Sequence, residues 1–209
     1  MRPIEERISA ALDVAQLDVV LVPGLRDSGA THWQTEWNTR FPDWLRVSQS
    51  RWDVADLDSW IDAIERSLAF CSRPALLVAH SFGALASAVL AERQSAQIAA
   101  AFLVAPADPA RFSLQDRLPT ALLSVPSTLI ASRNDPWLRF ETAEHWAQRW
   151  GSRLHDQGLA GHINADSGFG PWPQGLEWLA ELIDQIREPQ NLALPAARVV
   201  HNGSSLTLV

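Results

Sequence analysis

The chain has little with which to clamp a fold covalently. Cys71 is its only cysteine among 209 residues, which excludes an internal disulfide and any site built on several thiolates. A lone thiol fits a reducing, cytoplasmic setting. No stretch reaches the roughly 18 consecutive apolar residues that a membrane span needs. The amino terminus lacks the order of a secretory leader, because Glu5 and Glu6 stand where positive charge belongs. Basic residues are also scarce: 17 Lys plus Arg against 24 Asp plus Glu leave a net charge of −7. No basic face is then available to displace counterions from nucleic acid. Tyrosine is absent, whereas tryptophan occurs ten times, enough for several indoles to line a pocket as well as fill a core.

What is present reads as one soluble globular domain. Hydrophobic residues make up 47% and charged residues 20%, an ordinary balance, and a chain of this length buries ~70% of its unfolded surface. Residues 3–15 carry Ile4, Ile8 and Leu12 at helical spacing, with proline in the first turn. Residues 18–22 are β-branched and bounded by Pro23-Gly24, the pattern of a buried strand. A glycine-rich loop over 23–29 follows, and Thr31 reads as the N-cap of a helix to about residue 39. Further strands are predicted over 45–47, 75–79, 99–104, 127–131 and 153–157. Helices are predicted from Asp56 or Asp58 to 70, over 82–94, over 141–150 closed by Gly151, and over 175–187. The proline-interrupted 108–126 has room for one short helix.

Strands alternating with helices imply a mostly parallel sheet of about six strands covered on both faces. The domain spans 1–188, with 1–17 as a helical extension. Residues 189–209 form a separate tail in which Asn202-Gly203, between β-prone runs, is a hairpin signal. An isolated hairpin is marginal. The tail therefore packs on the body, joins a second copy in a homo-oligomer, or stays loose.

The chemistry concentrates at Ala79-His80-Ser81-Phe82-Gly83. Strand, tight turn with a central serine, then helix is the arrangement of a nucleophile elbow, with Ala79 in place of the usual first glycine. The elbow presents a serine hydroxyl beside a helix N-terminus, which suits an oxyanion. A serine nucleophile needs an acid and a histidine downstream. Asp135 follows the 127–131 strand in a turn fixed by Pro136, and Asp108 follows the preceding strand; turn or cap duty is the alternative for either. Among six histidines, His162 stands in a glycine-rich loop after the last strand, where a general base must hang. His32 sits at a loop–helix junction. His80, adjacent to Ser81 around a sharp turn, is expected to pack or bond locally.

Three segments together carry a resemblance: Ala79 to Gly83, Ser132 to Trp137, and Gly161-His162-Ile163-Asn164 with Gly168-Phe169-Gly170-Pro171-Trp172-Pro173 and Gly175. The chain resembles the small α/β-hydrolase family of YdeN and the retinoblastoma-binding serine hydrolases over residues 18–187. The resemblance implies a compact α/β-hydrolase sheet with little or no lid. It also implies Ser81 as nucleophile, Asp135 as orienting acid and His162 as base, acting on carboxylic esters. The oxyanion would be held by the N–H groups of Phe82 and Leu25. No metal or organic cofactor is required, and the partner is a small-molecule substrate. Trp33, Trp137, Phe169 and Trp172, with His32, lie on or beside the converging loops and are candidates for an apolar pocket; wedging loops onto the core is the alternative. Two other functions compete. One is a peptide or thioester hydrolase using the same three residues. The other is a binding module on this fold, although the Leu-x-Cys-x-Glu retinoblastoma-binding motif is absent, since Ala69 and Arg73 flank Cys71 at the required spacing.

Overall fold

A computed structural model describes residues 3–93 and 96–187. Six parallel strands are present: β1 (Asp18–Val22), β2 (Leu45–Arg46), β3 (Ala75–His80), β4 (Ile98–Val104), β5 (Ser127–Ala131) and β6 (Arg153–Asp156). Their order is β2-β1-β3-β4-β5-β6. The chain begins inside the sheet, steps out to β2, crosses back over β1 to β3 and then runs to the far edge. The reversal lies between β1 and β3, and in such sheets the crevice at the carboxyl ends of those strands is where ligands bind. The register sets Val22 beside Ala79, so the loop after β1 and the turn after β3 leave the sheet side by side.

Alternation along the strands divides the core in two. Val20, Leu77, Ala79, Leu103 and Leu129 point to one face, packed by α3 (Leu57–Leu68), α4 (Phe82–Glu92) and α5 (Phe140–Trp150). Val19, Leu21, Val78, Phe102 and Ile130 point to the other, packed by α1 (Ile4–Ala15), α2 (Trp33–Arg40) and α6 (Pro173–Arg187). α1 buries Ile8 and Leu12 against this second core. α4 is buried on every side from Phe82 to Ala91. It lies between β3, β4 and α3, which explains why its sequence is mostly small or apolar, with Glu92 at its end the one charged residue. Among the described residues no helix is long and apolar enough to cross a membrane.

Two local expectations change. The N-cap of α2 is His32, whose Nδ1 accepts the Gln34 N–H at 3.2 Å; Thr31 lies one residue too early to reach it. The segment between β4 and β5 holds two 3₁₀ turns, Pro109–Phe112 and Gln115–Arg117, because its prolines prevent a longer helix. The hairpin expected in the tail lies outside the described residues.

The elbow depends on a close approach of backbones. A Cβ placed on Gly83 would meet the carbonyl oxygen of Pro23 and stand 2.7 Å from that of Val22. Alanine in place of glycine within a helix ordinarily gains about 1 kcal/mol, but a side chain forced against backbone loses about 1–3 kcal/mol. The second term wins here because neither carbonyl can rotate away. Gly83→Ala is therefore expected to lower the urea-unfolding stability by about 1 kcal/mol or more. Unchanged or raised stability would contradict this packing.

Candidate active site

Ser81 is the residue between β3 and α4, at φ 54° and ψ −121°. A non-glycine residue reaches such angles only at a cost of about 1–3 kcal/mol, held by its surroundings. Those surroundings are visible. The Ser81 N–H donates to Val104 O at 3.0 Å. On the β1 side, a Cβ on Gly24 would stand 2.7 Å from the Cβ of Ser81. The small residues at 24 and 83 thus let the loop after β1 close on the elbow.

Two further loops converge there. Asp135 follows β5 in the turn at Pro136, and His162 follows β6. Ser81 Oγ lies 2.8 Å from His162 Nε2, and His162 Nδ1 lies 2.8 Å from Asp135 Oδ2 and 3.0 Å from Oδ1. The side chains of His162 and Asp135 are 8% and 2% exposed, so water barely competes for the bond between them. Asp135 is held from the other side by the Trp137 N–H, 2.8 Å from Oδ1. Asp108 takes the alternative duty, capping its 3₁₀ turn through Ala110 N–H at 2.9 Å. The N–H groups of Leu25 and Phe82 have no acceptor among the described residues, and Leu25 lines the cleft above Ser81.

The loops that carry Asp135 and His162 are tied to each other. Asn134 Oδ1 accepts the Gly161 N–H at 2.8 Å, and Ser132 Oγ accepts that of Ala160 at 2.9 Å. Ser167 Oγ accepts the His162 N–H at 3.2 Å. The indole of Trp33 donates to Ile163 O at 3.0 Å, and His80 Nε2 donates to His162 O at 2.9 Å. His80 thus bonds to the backbone of the His162 loop, a longer reach than a local contact. Gln34 has a comparable role on the opposite wall. It is fully buried; its Nε2 donates to Val22 O at 3.1 Å and to Val78 O at 3.0 Å, and its Oε1 accepts from Ser28 Oγ at 2.6 Å. It bridges the two strands that carry the Leu25 loop and the elbow. Sequence reasoning missed it, although its place between Trp33 and Trp37 on a buried helix face is a readable signal for a polar side chain with a task.

The candidate pocket residues divide. His32 and Trp137 line a cleft of about 310 Å³ with Ser81 and His162. Trp33, Phe169 and Trp172 do not line it; they pack in or against the second core. The reason is their indole and ring geometry. Trp37 and Trp172 stack nearly parallel at 5.6 Å, Trp33 meets both edge-to-face, and each indole N–H is spent on a loop oxygen.

Three imidazoles form a row, His32 to His80 at 4.8 Å and His80 to His162 at 4.9 Å between ring centres. Burial pushes His32 down to about 4, assisted by the charges of Arg46 and His162 and opposed by Asp27. Burial, with the charges of His162 and His32, pushes His80 well below its usual value, against the raising effect of its bond to the His162 carbonyl. Both are thus neutral near pH 7. With Nδ1 of His32 accepting from Gln34, its proton rests on Nε2, which is buried without a partner among the described residues.

A parallel sheet that reverses beside a strained serine, with an aspartate and a histidine presented by the loops after the last two strands, is the arrangement of an α/β-hydrolase. The chain belongs to the serine hydrolase family, whose model matches residues 19–181. It is 49% identical to a YdeN-like hydrolase from Pectobacterium atrosepticum, over 88% of this chain and 98% of that one, with a TM-score of 0.83. The ydeN gene product of Bacillus subtilis has the same fold at 21% identity, over 80% of this chain and 98% of that one, with a TM-score of 0.67. An alpha-beta serine hydrolase homologue from Coxiella burnetii also shares it, at 18% identity over 81% and 83%, with a TM-score of 0.54. No curated protein matches the chain.

The neutral histidines set a pH dependence. In the unfolded chain both titrate near 6.5, whereas the folded protein resists protonating them. Their stabilisation is complete above pH 6.5 and is lost as pH falls toward about 4 for His32, continuing lower for His80. Each contributes a slope of up to about 1.4 kcal/mol per pH unit in that window. Urea unfolding is expected to show a falling midpoint between pH 6.5 and 4.5; a flat profile over that range would contradict buried neutral rings.

Proposed function

We propose that the protein hydrolyses small carboxylic esters through an acyl-enzyme on Ser81, with His162 as general base and Asp135 as its orienting acid. The observation that supports this reading is the hydrogen-bonded line from Ser81 Oγ to His162 Nε2 and from His162 Nδ1 to the Asp135 carboxylate, both steps at 2.8 Å. A serine hydroxyl is a weak nucleophile until a base takes its proton. In the neutral ring, the Nδ1 proton is held by Asp135, so Nε2 presents its lone pair to Ser81. As Ser81 Oγ bonds to the acyl carbon, its proton passes to Nε2, and Asp135 stabilises the imidazolium that forms. The carbonyl oxygen becomes an oxyanion between the Leu25 and Phe82 N–H groups, each donor contributing on the order of 10²–10³ in rate. Collapse breaks the ester bond, and the departing alkoxide takes the proton from Nε2. Water then attacks the acyl-enzyme with His162 again as base, releasing the acid and restoring Ser81.

The cleft volume of about 310 Å³ stands at the low end for ligand pockets, which favours short acyl groups. Acetyl and butyryl p-nitrophenyl esters are expected to be turned over faster than the lauryl ester. Ser81→Ala is expected to lower kcat by up to ~10⁶ and to abolish labelling by a fluorophosphonate probe, and Asp135→Asn to lower kcat by roughly 10⁴. Equal labelling of wild type and Ser81→Ala would overturn the assignment.

A further inference from the structure

Every one of the 17 Lys-or-Arg positions is an arginine, and among the described residues ten are ion-paired to carboxylates. Arg26 and Arg111, both on the wall of the cleft that holds Ser81, have no ion pair among the described residues. Arg111 is nevertheless fixed. Its Nη2 donates to Pro136 O at 2.9 Å, and its Cζ lies 5.1 Å from the ring centre of Trp137. Cation–π contact of this kind holds a guanidinium without neutralising it. The Trp137 indole is 48% exposed, and its ring centre lies 6.3 Å from that of His162. Base, indole and guanidinium therefore form a series from the reacting centre to the mouth of the cleft.

The acidic residues of the same wall are largely occupied. Asp27 is ion-paired to Arg46, and Asp108 caps its own turn. Asp166 is the remaining carboxylate, exposed at the rim. A carbonyl bond to Pro136 uses one of five N–H donors of Arg111. The rest of the planar fork has the geometry to receive a carboxylate through two parallel bonds. Because stacking and the Pro136 bond already restrict the side chain, little rotamer freedom is lost when it binds.

We infer that Arg111, stacked on Trp137, is a specificity determinant that receives a carboxylate on the substrate, so that the preferred esters carry one free acid group. This rests on the hydrolase reading above and deepens it. The role belongs to substrate binding: Arg111 touches the distant end of the ester while Ser81 attacks its carbonyl.

The test compares mono-p-nitrophenyl esters of dicarboxylic acids of increasing length with neutral esters of matched length. In the wild type, kcat/KM is expected to favour the acidic ester at one length, chiefly through KM. In Arg111→Gln the acidic-to-neutral ratio is expected to fall about tenfold, the size of one charge-assisted hydrogen bond at a partly open site. Arg111→Lys should keep part of the ratio, and Arg149→Gln, at an α5 arginine with no ion pair among the described residues, should leave it intact. Added salt should lower the ratio in the wild type. A wild-type preference for neutral esters, or an unchanged ratio in Arg111→Gln, would overturn the inference. Binding of monomethyl adipate against dimethyl adipate to Ser81→Ala, followed by calorimetry, separates the two readings because it needs no turnover. Preference for the monoacid that Arg111→Gln abolishes would support the carboxylate site even if ester hydrolysis were absent. Equal binding of the two would overturn it even if hydrolysis were fast.

Discussion

The site depends on a steric constraint at the switch point of the sheet. The loop leaving β1 runs against the first turn of α4, with Gly24 facing Ser81 and Gly83 facing the carbonyls of Val22 and Pro23. There is no space for a side chain on either glycine. That closeness holds Ser81 at an angle no unconstrained serine adopts, so its hydroxyl leaves the helix axis and meets His162. It also brings the Leu25 N–H beside the N-terminus of α4. One approach of two backbones thus sets the position of the hydroxyl and leaves the Leu25 and Phe82 N–H groups without an acceptor among the described residues.

A second constraint concerns loops. The connections after β5 and β6 must keep His162 within hydrogen-bonding distance of both Asp135 and Ser81, although loops are ordinarily the least fixed parts of a fold. Tryptophan supplies much of that fixation. Trp60 donates to Pro23 O, Trp33 to Ile163 O, Trp37 to Pro171 O and Trp150 to Pro119 O. Each indole buries a large apolar surface and uses its one donor on a loop carbonyl. In a chain without cysteine pairs, these four buried tryptophans serve in place of crosslinks and reach the loops from inside. His80 and Gln34 add to this by the same logic, each a buried donor aimed at backbone oxygens of a neighbouring segment. Neutral imidazole suits that position, because a charge at His80 would sit beside His162, 4.9 Å away between ring centres.

The sheet and the candidate site were legible in the sequence to different depths. Strand 127–131 and its successor loop could be read because apolar runs end sharply in Ser, Asn, Asp and Pro, and turn chemistry is local. Ser81, Asp135 and His162 were legible because each follows a strand, and all carboxyl ends of a parallel sheet meet at one edge. The tryptophans were not. Trp33 and Trp172 carry the same local signal as Trp137, and only the packing of Trp172 against Trp33 and Trp37 of α2 decides that two are buried and one stands in the cleft. Gln34 and the Ser132–Asn134 contacts were hidden for a similar reason: their partners are backbone atoms 12 to 44 residues away for Gln34 and 26 to 28 for Ser132. His32 displaced Thr31 as a helix cap because a ring nitrogen reaches the Gln34 N–H from one residue later.

The central claim is that the strained serine after β3 becomes acylated by the substrate. Rapid mixing with p-nitrophenyl acetate, acid quenching and peptide mass mapping test it most directly. The account predicts a burst of nitrophenol and an acetyl group on the peptide containing Ser81. Hydrolysis with no burst and no covalent adduct, or an adduct confined to another residue, would contradict it.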